Sequence, residues 1–251
     1  MRIQLLTHPR SGSTYYAGIL QGYIREYPNF EIQYEPFNAD WITKQDGISY
    51  DEFPAYAKNL IEKFKQTENC LVKNHMFNMF YLYNLDKALW DEYVSLDWHT
   101  IVLVRKNVFD TVLSLSLARA KDVWFYDKDE KVDKKEIPMD IFHRTMLDCL
   151  NNYRKFRTNE LGITYNQVIY YEDLTSNPIE DLKKSKFIPT FIEEFETNVH
   201  RGPSKESSIS NIGQLKNYFN NYIKSNRIRL VKPDGFIDEE FTNYERFIPK
   251  P

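Results

Sequence analysis

Apolar positions along the chain follow two rhythms. Four short runs, RIQLLT at 2–7, NCLVKN at 69–74, HTIVLVR at 99–105 and NQVIYYE at 166–172, are rich in β-branched and aromatic residues. Dense apolar runs too short for helices predict strands covered on both faces. Between them, residues 13–27, 53–66, 77–93, 107–120 and 138–160 repeat their apolar side chains every three to four positions, which predicts helices with one buried stripe. A further helix is predicted within SISNIGQLKNYFNNYIKSN at 208–226, where Ser or Asn supplies a cap. Strand and helix alternate, so the expected fold class is α/β, a central parallel sheet flanked by helices.

Two stretches break the rhythm. Residues 121–138 mix charges and end in Pro138, reading as a solvated loop or an acceptor-binding lid, and the tail after Pro233 reads as irregular. No Pro, Gly or Ser-rich linker divides the 251 residues, so a single domain over 1–251 is expected.

Composition narrows the function classes. A net charge of -3 argues against a surface devoted to nucleic acid, so any anion site must be local. Two cysteines, Cys70 and Cys149, without a CxxC or a Cys/His cluster, suggest neither a disulfide framework nor a zinc site. No run reaches the ~20 apolar residues of a membrane span, and Met1 leads straight into RIQLL, so a soluble, cytoplasmic protein is expected. The 18 Tyr and 17 Phe are read mainly as core.

Candidate chemistry begins at HPRSGSTYY, His8 to Tyr16. Between a strand and a helix, PRSGST gathers backbone N–H groups at the positive end of the helix, and Gly12 supplies the freedom to turn them inward. Ser11, Ser13 and Thr14 add hydroxyls and Arg10 a forked cation, which together make a phosphate cradle. It is not a Walker A loop, because no second Gly and no Lys before Ser or Thr are present.

This loop resembles the first motif of the sulfotransferases that use 3'-phosphoadenosine 5'-phosphosulfate (PAPS), a Pro-[Lys/Arg]-Ser-Gly-[Ser/Thr]-Thr loop that grips the 5'-phosphosulfate. The segment IVLVRKNVFDTVLS, 101–114, is similar to the family's 3'-phosphate motif, with Asn107, Asp110 and Ser114 in register. Lys106 stands where many members have Arg, Arg105 precedes it and Val108 replaces the usual Pro, so either Arg105 or Lys106 is the cation implied. The segment VIYYEDLTSNP, 168–178, resembles the family's strand plus YEDL, which implies Tyr171 beside the adenine, with Tyr15 as a second aromatic at the base. HRGPSKESSISN, 200–211, is a weaker match, whose Arg201 and Lys205 would close over the donor as a basic loop does in relatives. The resemblance runs from residue 5 to about 178 and implies a P-loop-like sulfotransferase fold.

For the transfer step, LVKNHMF at 71–77 resembles the Lys-Thr-His segment of cytosolic members, with Asn74 in place of Thr. His75 would be the general base, and Lys73, two residues earlier on the same strand face, would meet the sulfuryl or bridging oxygen. QYEPFN at 33–38 resembles a segment that supplies a Glu base in other branches, so Glu35 competes with His75 for that role or pairs with Lys73.

The reaction expected is in-line transfer of a sulfuryl group from PAPS to a hydroxyl or amine of a small molecule or glycan, leaving adenosine 3',5'-bisphosphate, with no metal. Neither nucleic acid nor membrane is expected as partner, and the acceptor and oligomeric state are not encoded in any motif. Two alternatives stay open: a P-loop-type nucleotide kinase, and a nucleotide-binding module without turnover.

Overall fold

The computed structural model of the chain describes residues 1–24, 30–121, 134–176 and 208–238. The expected lid segment, Arg201 and Lys205 therefore lie largely or wholly outside the described residues.

Five parallel strands form the sheet, in the order β2-β3-β1-β4-β5. They are β1 (Arg2–Thr7), β2 (Glu31–Tyr34), β3 (Cys70–His75), β4 (Trp98–Val104) and β5 (Gln167–Tyr170). β1 lies at the centre, with Thr7 beside His75 of β3 on one side and Leu103 of β4 on the other. Central strands β1, β3 and β4 are nearly continuous in buried residues, whereas edge strands β2 and β5 are mostly half-exposed. That contrast explains why the runs of β1, β3 and β4 betray their strands while EIQY of β2 carries no such run.

Among the described residues, the helix that packs over one face is α1 (Ser13–Ile24). Its Tyr16, Ala17, Ile19 and Leu20 pack on Ile3 and Leu5, Leu71, and Ile101 and Leu103, the odd-numbered positions of three adjacent strands. The even-numbered positions Leu6, Val72, Val102 and Val104 face the larger layer. That layer holds α2 (Ala39–Asp46), α3 (Phe53–Gln66), α4 (Met76–Leu85), α5 (Lys87–Val94), α6 (Val108–Lys121) and α7 (Met139–Thr158), with α9 (Ile212–Ser225) on its outside. A short helix α8 (Tyr171–Ser176) follows β5 directly.

The helix expected over 77–93 is two. Asp86 takes an extended conformation, and its carboxylate accepts from the N–H groups of Ala88 (2.7 Å) and Leu89 (3.3 Å), ending α4 and capping α5. Among the described residues no helix is long and apolar enough to cross a membrane.

From β1 the chain runs to β2 on one side, returns to β3, then crosses to β4 on the other. The order therefore reverses at the carboxyl end of β1, where open parallel sheets leave a crevice between loops.

Candidate functional site

The loop leaving β1 is built by two left-handed residues, Arg10 at φ 63° and Gly12 at φ 80°. Ser11 N–H bonds the His8 carbonyl (3.2 Å) and Tyr16 N–H bonds the Gly12 carbonyl (3.0 Å), so α1 starts at once. The N–H groups of its first turn have no helical partner by geometry and point out of the sheet edge. Ser11 and Ser13 are buried and Thr14 is exposed. Among the described residues, the buried Ser11 hydroxyl has no hydrogen-bond partner. Gly12 has a second reason to be Gly: a Cβ there would stand 2.2 Å from Cδ2 of Tyr171. The Tyr171 ring thus lies close against the loop, with the Arg105 guanidinium carbon 4.9 Å from its centroid. Tyr15 is half-buried against the α1 layer with Tyr171.

Beneath the loop, His8 is buried and stacks on Tyr153 of α7, 5.1 Å between centroids. His8 Nδ1–H donates to the Pro9 carbonyl (2.8 Å), and burial lowers the ring's pKa from 6.5 to about 3, with the nearby His75 and Arg119 charges acting the same way. Tyr153 in turn donates its hydroxyl to the Arg105 carbonyl (2.7 Å), tying the β1 and β4 ends to one helix.

The β4 to α6 turn brings Ser114 to the loop: Arg10 Nε donates to Ser114 Oγ at 2.9 Å across 104 residues of sequence. Arg105 and Lys106 part ways here. Arg105 turns to the α1 face, where its Nη2 binds Asp110 (2.8 Å) and its Nη1 the Arg10 carbonyl (3.3 Å). Lys106 leans over the Tyr170 ring (4.6 Å) toward Asp173 (3.5 Å).

A second helix start at the same edge, that of α6, is sealed by the protein itself. Glu172 accepts from the N–H groups of Lys106 (2.8 Å) and Asn107 (2.9 Å), and the Gly235 carbonyl from those of Val108 (2.9 Å) and Phe109 (3.2 Å). The Asn107 side chain takes the N–H of Asp110 (2.9 Å). Gly235 reaches that close because it has φ 94° and no Cβ, which would stand 2.7 Å from Cβ of Phe109.

On the other side of β1, Lys73, His75 and Glu35 meet. Lys73 and His75 share the odd-numbered face of β3, and both reach Oε1 of Glu35, Lys73 Nζ at 2.7 Å and His75 Nε2 at 2.9 Å. Glu35 follows β2 in a left-handed conformation, φ 50°, which swings its carboxylate over the end of β3. Its other oxygen, Oε2, accepts from Asn38 (3.0 Å), whose carbonyl also caps α2. With Nε2–H given to the carboxylate, His75 Nδ1 is the acceptor for the Thr7 hydroxyl at 2.8 Å. Phe77 lies stacked on the other face of the imidazole, 5.5 Å between centroids.

Burial raises the Glu35 carboxyl, but His75 and Lys73 outweigh it and hold the group well below the usual carboxylate range. Burial lowers His75, against the pull of Glu35, so the imidazole is neutral at pH 7. Lys73 is almost wholly buried, 5% exposed, and Glu35 is the more open member of the trio. The arrangement can take a proton at its open carboxylate and offers a fixed ammonium beside it.

The structure thus brings Arg10 to Ser114, Arg105 to Tyr171, and Lys73 and His75 to Glu35, all at one edge. Thr7, Asn38, Glu172, Gly235 and Tyr153 hold these groups and were not singled out in the sequence. Glu172 and Asn38 stood inside quoted motifs, whereas Gly235 carries no local signal.

No family model matches the sequence, and no curated protein matches it. Nine solved chains do match. One, the "Sulfotransferase Domain from the Curacin Biosynthetic Pathway", is 17% identical, covered over all of this chain and 92% of its own, with a TM-score of 0.37. A superposition that loose leaves the fold resting on strand order and helix placement: an α/β protein with a five-stranded parallel sheet between helical layers.

Proposed function

We propose that the chain is a PAPS-dependent sulfotransferase acting on a hydroxyl or amine of a small molecule or glycan, in the cytoplasm. The carrying observation is the 2.9 Å bond between Arg10 and Ser114, which joins two segments that resemble the donor motifs of that family. The donor set fits a bisphosphorylated nucleotide: a helix start rich in N–H groups, the unpartnered Ser11 hydroxyl, and the cations Arg10 and Arg105. Bound PAPS would supply the sulfuryl group and a good leaving phosphate.

The chain's own residues do the rest. Backbone N–H groups of the α1 start with Ser11, Ser13 and Thr14 hold the 5' end. Lys73, a buried ammonium beside Glu35, would stabilise the negative charge that grows on the bridging oxygen, in a poorly hydrated setting. The acceptor proton goes to the Glu35 and His75 pair. Glu35 is the member open to an acceptor and takes the proton, while the neutral His75 behind it keeps its Nε2–H on the carboxylate and fixes it through the 2.9 Å bond. A weakly basic carboxylate suffices when the transition state is loose and the proton leaves late.

Titration calorimetry without magnesium tests this reading, with adenosine 3',5'-bisphosphate against AMP and ATP. Micromolar binding of the bisphosphate and at least ~tenfold weaker AMP, ~1.4 kcal/mol, is expected. Equal affinities, or tighter ATP with magnesium, would overturn it in favour of a phosphoryl transferase.

A further inference from the structure

Two members of the trio at the end of β3 could take a proton, and the surroundings of His75 decide between them. Thr7 and His75 are register partners on the neighbouring parallel strands β1 and β3, so their side chains leave the sheet on one face and meet. Thr7 is wholly buried, and its hydroxyl stands 2.8 Å from His75 Nδ1.

That hydroxyl has one proton to give and two acceptors near it, His75 Nδ1 and the Asn74 carbonyl at 3.4 Å. The carbonyl lies at the limit of a hydrogen bond, so the proton goes to the ring. The other nitrogen agrees. His75 Nε2 is 2.9 Å from Oε1 of Glu35, and only an N–H there avoids setting a lone pair against a carboxylate.

Nε2 thus carries the ring's own proton while the Thr7 hydroxyl fills Nδ1, which leaves His75 no lone pair for an incoming proton. A hydrogen bond given to the neutral form of a base disfavours its charged form. Glu35 differs: a carboxylate has about four acceptor sites. Among the described residues Lys73, His75 and Asn38 use three of them, and Glu35 is the more open partner of both Lys73 and His75.

Resting on the sulfotransferase reading, we infer that Thr7 is a positioning residue: its hydroxyl blocks Nδ1 of His75, holds the ring as a neutral donor to Glu35, and so confines the acceptor's proton to the carboxylate. The titratable groups that bear on the ring are Glu35 from the end of β2, Lys73 on β3 and His8 from the loop after β1. Glu35 and the Thr7 backbone favour a charged ring, whereas burial and Lys73 oppose it, so loss of the hydroxyl tips the ring toward a second proton.

Nitrogen NMR of the histidine rings in the full chain, with the His75 ring assigned through its own backbone, tests this between pH 8 and pH 5. The unaltered protein should show a proton on Nε2 and a hydrogen-bonded, proton-free Nδ1 at pH 7. Thr7→Val should raise the midpoint of His75 protonation by about one pH unit, the scale of one hydrogen bond. Thr7→Ser, which keeps the hydroxyl, should return the midpoint to that of the parent. Thr7→Ala replaces Thr7→Val if the latter lacks a cooperative thermal transition. A proton on Nδ1 in the unaltered protein, or a midpoint that loss of the hydroxyl leaves in place, overturns the role of Thr7. Neither readout needs donor or acceptor, so that result leaves the cofactor reading intact. No preference for the bisphosphate over AMP in calorimetry overturns the sulfotransferase reading, and with it the catalytic use of the ring, whatever its protonation.

Discussion

His8 gives the chain an acid sensitivity whose size can be worked out. Its ring is buried, stacked on Tyr153, and has a pKa drawn down from 6.5 to about 3. Because the folded value lies below the unfolded one, the unfolded chain binds the extra proton first, and stability is lost as pH falls from 6.5 toward 3. The full gap corresponds to ~5 kcal/mol, of which ~2 kcal/mol has been lost by pH 5. His8→Phe keeps a ring on Tyr153 and removes the titration, at a cost of ~1 kcal/mol for the bond to the Pro9 carbonyl. Urea unfolding followed by Trp fluorescence at pH 8 and pH 5 should therefore show the variant less stable at pH 8 and at least equal at pH 5. His75, also lowered, contributes to the slope of both proteins and cancels in the comparison. Two parallel pH profiles, with the variant below the parent by a constant amount, would refute the reasoning, since they would mean that His8 does not stay neutral in the fold.

Glu35→Gln leaves Lys73 buried without its carboxylate and should cost ~3 kcal/mol by urea unfolding at pH 7. Since the folded Glu35 carboxyl is depressed, that difference should persist above about pH 4.5, the ordinary carboxylate value, and shrink as pH falls below it. Gly12→Ala drives a Cβ into the Tyr171 ring at a left-handed position and should abolish bisphosphate binding in calorimetry, with partial recovery in Gly12→Ala/Tyr171→Ala. Gly235→Ala should unseat the 231–238 segment from α6, lowering thermal stability by ~2 kcal/mol and raising amide exchange at Val108 and Phe109.

What the sequence revealed follows burial. β1, β3 and β4 are covered on both faces and so read as apolar runs, whereas β2, with its half-exposed EIQY, left no such mark. The single helix expected at 77–93 failed at Asp86, because one polar residue interrupts an apolar stripe without changing its period. In the site, HPRSGST declared its own geometry, since a loop between strand and helix is a local matter. The meeting of Lys73 and His75 followed from the two-residue repeat of a strand. Their convergence on Glu35 needed the β2 to β3 pairing, which no spacing within one segment encodes. Where Arg105 and Lys106 reach likewise depended on which face of β4 each side chain leaves, and on Tyr171 and Asp173 some 65 residues away.

The seal on α6 sets an order of events during synthesis. Four strands of the sheet and helix α6 can form once residue 121 has emerged, but the carbonyl that closes Val108 and Phe109 belongs to Gly235, made long afterwards. Domains generally assemble from the N-terminus as the chain grows, so the nascent protein passes through a stage in which the α1 loop is formed while the α6 start is only partly closed. At that stage Glu172 can already close the N–H groups of Lys106 and Asn107, while those of Val108 and Phe109 still lack their carbonyl. Only when the 231–238 segment docks is the start of α6 fully closed, so the finished edge depends on residues made more than a hundred positions after the helix they seal.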